Sequence, residues 1–338
     1  MSLPATYKHA VFKEAGKPLV IEETKLTLPA KGEILVKTEA CGVCFSDVFA
    51  QNNGMGGGFP IVPGHEIIGR VVAVGEGVEA FKNGDRVGAG WHGGHDGTCG
   101  PCRKGRLNMC KNQKINGETK DGGYAEYVIL RSEAVANVPD NVDAAKYAPI
   151  LCAGMTVFNS IRNMHIGVGE TVAIQGLGGL GHLAIQYANK FGYRVVAISR
   201  GSDKEQFARK LGAHEYIDTS KVDAGEALQA LGGAALIVTT IPTGDQMQTL
   251  MNGLDVAGKL LILSVPGDIT INTGPMLLKG QSVHAWPCGH AKDSEDTIQF
   301  TQLQNIDCLV ETFPLDKAND AFAKMLSGSV RFRAVITF

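Results

Sequence analysis

The chain has 338 residues, 44% of them hydrophobic and 20% charged, and a formal charge of −2 at pH 7. That is too long for one ordinary core and suits two domains of roughly 100 to 200 residues each. A balance so near neutral excludes a nucleic-acid or membrane-surface binder, so small molecules are the expected partners, with no nucleic acid and no membrane.

The opening, MSLPATYKHAVF, has no basic segment followed by an apolar one. No apolar run approaches the roughly 18 to 20 residues of a membrane span, so a cytoplasmic protein is predicted. Eight cysteines in such a chain read as thiols and metal ligands rather than as a disulfide framework.

The first half holds short β-branched runs punctuated by Gly and Pro: GEILVKTEACGV, IIGRVVAVGEGV, DRVGAG, YAEYVIL and EAVANVP. They predict a β-rich region. Three dispersed residues in tight, Gly-, Ala- or Pro-rich settings stand out in or beside it: Cys44 in CGVCFSD, His65 in PGHE and Cys152 in ILCAG. Two thiolates and one imidazole balance the charge of Zn²⁺ and leave a fourth tetrahedral position open, the pattern of catalytic rather than structural zinc.

From about Tyr147 strand and helix alternate: TVAIQ then LGHLAIQYANKFG, YRVVAIS then DKEQFARKLG, LIVTT then DQMQTLMNGL, and finally KLLILSV. This predicts βαβ units and a parallel sheet. After the first strand comes Gly176-Leu177-Gly178-Gly179-Leu180-Gly181. In that G-x-G-x-x-G turn Gly176 permits the bend, Gly178 lets backbone approach a pyrophosphate and Gly181 lets helix pack on strand. The helix N-terminus then presents N–H groups to the phosphates.

The second strand ends in Ser199-Arg200-Gly201-Ser202-Asp203-Lys204, with no acid in the place that accepts ribose hydroxyls of NAD. A hydroxyl at Ser199 with the cations Arg200 and Lys204 suits a 2′-phosphate, which favours NADP(H) over NAD(H). In the alternative, Arg200 stacks on adenine and Asp203 serves as the acid. Val265, closing KLLILSV, is counted with the cofactor-binding positions. Past Pro287, the helical stretch SEDTIQFTQLQ and the closing strand FRAVITF fold back onto the first domain, making it discontinuous.

CGVCFSD, GHE, the cysteines near residue 100, LCAG and GLGGLG follow one another as in zinc-containing medium-chain alcohol dehydrogenases. The chain resembles that family over nearly its whole length. The resemblance implies a GroES-like catalytic domain over 1–152 and 288–338 and a Rossmann doubly wound coenzyme domain over 153–287. It implies a catalytic zinc on Cys44, His65 and Cys152, with Asp47 orienting His65 and Glu66 beside the metal as alternate ligand or electrostatic tuner. Ser46 would hydrogen-bond the substrate oxygen, and Arg333 in VRFRAVITF resembles the arginine that reaches the pyrophosphate, with Arg331 as its surface-charge rival. Phe45 stands where relatives often place a phosphate-binding His or Arg, and Phe49 where many carry a relay histidine. Phe45, Phe49, Phe59, Trp91 and Met109 would wall the pocket.

The family's second cysteine loop reads C-x2-C-x2-C-x7-C. Here Cys99, Cys102 and Cys110 keep the last three places and Asp96 occupies the first. A carboxylate is an acceptable zinc ligand, so Asp96, Cys99, Cys102 and Cys110 form the candidate structural zinc site. A histidine, His92 or His95, in the fourth place and a metal-free loop are the alternatives. Cys41, Cys288 and Cys308 are read as ordinary packing.

The implied activity is hydride transfer between NAD(P)(H) and an alcohol, aldehyde or ketone at the zinc, in a homodimer or homotetramer with SVHAWP as the pairing edge. A zinc-free quinone or enoyl reductase on the same fold is the rival reading, and the presence of the ligands opposes it.

Overall fold

The strand Glu33–Val43 organises the first unit. It is buried along most of its length, and it pairs antiparallel with Ile67–Val74, Tyr127–Arg131 and Arg333–Thr337. The sheet runs in the order Val310–Pro314, Arg333–Thr337, Glu33–Val43, Ile67–Val74, Arg86–Ala89 and Ala136–Asn137, with Tyr127–Arg131 beside Glu33–Val43. Val36, Ile67, Val71, Val87, Leu130 and Ile336 meet in one buried cluster. Side chains of this size each contribute about 1.5–3 kcal/mol on full burial.

The computed structural model describes residues 3–338. This first unit runs to Met155 and resumes at Cys288, and the second is Thr156–Pro287. The closing strand thus belongs to the first unit, where it completes the sheet.

The second unit is a six-stranded parallel sheet in the order Glu215–Asp218, Arg194–Ser199, Thr171–Gln175, Ala234–Thr239, Leu254–Ile262, Ser282–Ala285. Numbered along the chain this is 3-2-1-4-5-6, the doubly wound order of dinucleotide-binding folds. Val172, Ala173, Val195, Val196, Ile237 and Val238 are fully buried, as strands covered on both faces require. The order reverses beside Thr171–Gln175, so the Gly176 turn stands at the switch point.

Two readings of local structure change. EAVANVP holds only the short strand Ala136–Asn137, after a 3-10 turn at Ser132–Ala134. The reading from sequence also passed over the helix Ala153–Arg162, whose first residues follow Cys152 directly. Ser282–Ala285, from SVHAWP, is an edge strand. No helix among the described residues is long and apolar enough to cross a membrane.

Candidate active site and metal centres

Strand ends bring the dispersed residues together. Glu33–Val43 delivers Cys44, and its ladder with Ile67–Val74 closes at Cys41 opposite Ile67. Gly42 N–H donates to the Glu66 carbonyl at 2.9 Å, which lays His65 and Glu66 alongside. Ala334 pairs with Val43, placing Arg333 at the same end, and Cys152 follows the 3-10 turn Ala148–Leu151.

One donor atom each from Cys44, His65, Glu66 and Cys152 lies within 4.8 Å of the others, and all four residues are buried. The Cys44 and Cys152 sulfurs are 4.0 Å apart. Two sulfurs each about 2.3 Å from a tetrahedral zinc would stand about 3.8 Å apart. His65 Nε2 is buried with no hydrogen-bond partner among the described residues, an orphan that a metal ion would satisfy. His65 Nδ1 lies 3.2 Å from Asp47 Oδ1, and the Trp91 ring stands edge-on to the imidazole at 4.9 Å.

Charge in this cluster is finely divided. The Cys152 thiol, with His65 and Arg333 acting against burial, holds the Cys44 thiol well below its ordinary pKa. Neighbouring Cys288 and Cys44, together with burial, push Cys152 up. Burial disfavours charge on His65, but the Asp47 carboxylate and Cys44 together outweigh it and raise the imidazole. Burial lifts Glu66 to about 7 while Arg333, its close ion-pair partner, pulls the other way.

The second cluster is less enclosed. Cys99 Sγ lies 3.5 Å from Cys102 Sγ and 3.8 Å from Cys110 Sγ. Donor atoms of these three and Asp96 also fall within 4.8 Å of one another. The Cys110 sulfur accepts N–H from Asp96 and Asn112 at 3.4 and 3.3 Å. Asp96 Oδ1 accepts from Cys99 and Thr98 N–H, and Oδ2 from the Asn112 amide at 2.6 Å. Those donors, Cys99 N–H foremost, hold its carboxyl far below the usual range. His92 and His95 stack on each other outside this set, and burial takes His92 down to about 4.

In the second unit the three motif glycines differ. Gly176 has φ +93°, and a Cβ there would strike Thr240 Oγ1. A Cβ on Gly181 would run into the Gly176 carbonyl, whereas nothing lies over Gly178. The open face above Gly178 and the N-terminus of the helix Gly181–Lys190 form a cradle that fits a pyrophosphate.

Residues 30–140 match the family model of the alcohol dehydrogenase GroES-like domain, and residues 179–303 that of the zinc-binding dehydrogenase. The chain is 66% identical over 334 residues to alcohol dehydrogenase patD of Penicillium expansum, covering 99% of this chain and 98% of that protein. Identity to alcohol dehydrogenase notN of Aspergillus sp. (strain MF297-2) is 61% over 337 residues, covering 100% and 99%. A cinnamyl alcohol dehydrogenase structure from Sorghum bicolor superimposes with a TM-score of 0.89 at 27% identity, covering 98% and 97%.

The chain belongs to the medium-chain alcohol dehydrogenase family.

In this alcohol dehydrogenase, an oxidoreductase, Ser46 is half-buried where the short helix Asp47–Gln51 begins, its Oγ 3.6 Å from Cys44 Sγ. Asp47 and Glu66 are fully buried. Leu177 is buried, Gly179 and Leu180 stand in the turn, and Val265 lies exposed beyond the strand Leu254–Ile262. Ser199 closes Arg194–Ser199, with Arg200 and Lys204 just beyond. Neither cation has a side-chain hydrogen bond or ion pair among the described residues.

The structure gives several residues neighbours that the sequence did not suggest. Arg333, which resemblance assigned to a pyrophosphate, is buried and paired with Glu66 in the structure, because its strand ends beside that carboxylate. Phe59 packs against the core of the first unit. Cys288, read as ordinary packing, sits with its sulfur 3.7 Å from the Cys152 carbonyl and its thiol against that of Cys152. The cause is topological: the chain leaves the first unit after Met155 and re-enters at Cys288. Tyr124 went unnoticed in the sequence, where YAEYVIL reads only as strand, yet its hydroxyl donates to Asp47 Oδ2 at 2.8 Å.

Proposed function

We propose that the protein is a zinc-dependent alcohol dehydrogenase or aldehyde or ketone reductase that uses NADP(H) in preference to NAD(H). The observation that carries the zinc reading is the buried set of Cys44, His65 and Cys152 around an unpartnered imidazole nitrogen, with Glu66 beside it. Zinc supplies Lewis-acid polarisation of the substrate oxygen, and the nicotinamide gives or takes the hydride.

The chain's own residues do the rest. Cys44 and Cys152 would bring negative charge to the metal, and Asp47, with Oδ1 at 3.2 Å from His65 Nδ1, would favour the tautomer that frees Nε2 to hold it. Ser46 Oγ, half-buried beside Cys44, hydrogen-bonds the substrate hydroxyl and passes its proton to solvent water. With Phe49 in the relay position, no imidazole there receives it. Glu66, paired with Arg333, would set the charge beside the donor set. Asp96, Cys99, Cys102 and Cys110 hold a second, structural zinc.

NADP(H) preference is supported by the unpaired Arg200 and Lys204 and by the lack of an acid closing Arg194–Ser199. The exposed edge Ser282–Ala285 supports a homodimer or homotetramer. The test combines zinc analysis with NADPH and NADH titrations of one sample. About two zincs per subunit and tighter NADPH are expected, and Arg200→Ser should weaken NADPH about tenfold while sparing NADH. Equal binding of both nucleotides by the parent protein would refute the NADP(H) assignment, and zinc-free protein the metal mechanism.

A further inference from the structure

Asp47 is sealed from solvent, so every contact its carboxylate makes is with protein. Oδ2 accepts two hydrogen bonds, from Cys44 N–H at 2.9 Å and from Tyr124 Oη at 2.8 Å. Oδ1 is the oxygen that faces His65 Nδ1 at 3.2 Å. Two donors on one oxygen fix the carboxylate plane and leave the other oxygen for the imidazole.

The same tyrosine also packs against the segment that leads into His65. Its ring, fully buried, lies so close to Gly64 that a Cβ there would collide with Cδ1, and Gly64 has φ +99°. Tyr124 N–H donates to Pro63 O at 3.0 Å and Gly123 N–H to Gly64 O at 2.8 Å. The segment that carries Tyr124 is therefore laced to the segment that leads into His65, while its hydroxyl holds the carboxylate opposite that imidazole.

We propose that Tyr124 is a positioning residue that sets the orientation of the His65–Asp47 pair from both ends; the inference rests on the zinc reading above. It touches neither substrate nor metal. The competing account is that Tyr124 only fills the core, since it belongs to the buried cluster of the first unit.

Tyr124→Phe separates the two, because it keeps the ring against Gly64 and deletes only the hydroxyl. Removing a partner of a metal-binding side chain typically weakens metal affinity about 10- to 100-fold. One step further from the ion, about tenfold loss is expected at the Cys44–His65–Cys152 site in competition with a chelator. The visible spectrum of the cobalt(II)-substituted protein should shift as well. A variant that melts earlier but keeps parental metal affinity and an unshifted cobalt spectrum overturns the proposal.

A double-mutant cycle with Asp47→Asn gives the second readout. If Tyr124 acts through Asp47, the double variant loses no more metal affinity than Asp47→Asn alone, and fully additive losses overturn the proposal. Failure of the underlying zinc reading looks different: the parent protein would then hold no metal that Cys44→Ser removes.

Discussion

Two four-residue donor sets lie within one unit of this protein, and they solve opposite problems. Around Cys44, His65, Glu66 and Cys152 every residue is buried, yet His65 Nε2 and Glu66 Oε2 have no hydrogen-bond partner among the described residues. Around Asp96, Cys99, Cys102 and Cys110 only the two cysteines Cys102 and Cys110 are buried, and Asp96 and Cys110 are supplied with N–H donors. A buried polar atom left unpaired costs about 1–3 kcal/mol, so the first set stores a demand and the second has met most of its own. Stored demand suits a reactive centre, and satisfied donors suit a clamp.

The largest effect that would break this contrast is expected from Cys44→Ser. Loss of Lewis-acid polarisation, worth several kcal/mol, should lower kcat about a thousandfold or more. Zinc content should fall by about one per subunit while NADPH binding survives. Activity near the parental value in steady-state assays would mean that the buried set is not the reactive centre.

Cys102→Ser should act on the other side of the comparison. Melting is expected to fall by roughly 5–10 °C, as a loss of a few kcal/mol gives in a unit of this size, with kcat of the folded enzyme little changed. Asp96→Asn sharpens the point, because it keeps an acceptor for Cys99 and Thr98 N–H but removes the anionic oxygen. Zinc counts unaltered by both substitutions would leave this loop metal-free.

The smallest effect concerns Glu118, whose Oε1 accepts Ala50 N–H at 3.1 Å and whose carboxyl is lifted by burial, chiefly, to about 8. Its folded pKa lies above the unfolded value of about 4.3, so between the two the native state binds more protons. Stability therefore falls as pH rises from about 4.5 towards 8. Glu118→Gln should flatten that part of the stability–pH curve, measured by urea unfolding. An unchanged slope would show that Glu118 does not carry the proton.

What could be read from sequence was what is local. Gly176, Gly178 and Gly181 act through backbone geometry within six residues, so their spacing carried their meaning. Asp96 and the three loop cysteines likewise stand within one short stretch. Cys44 and Cys152 are 108 positions apart, and only the resemblance joined them before the fold did. Tyr124 and Cys288 gave no signal, since a hydroxyl meeting a carboxylate 77 positions away, or a thiol meeting one across an excursion of the chain, is a product of tertiary packing. The 3-10 turn at Ser132–Ala134 was hidden for another reason: EAVANVP has the composition of a strand but too little length in the sheet.

The strand Arg333–Thr337 lies against the segment that ends at Val43, and it carries the countercharge of Glu66. During vectorial synthesis these partners leave the ribosome nearly 300 residues apart, at about 5–20 residues per second. Thr156–Pro287 emerges whole in the interval and has all its own strands at hand. That unit thus has every strand of its sheet available before the closing strand of the first unit is made. Glu66 cannot meet its countercharge until Arg333 has been synthesised.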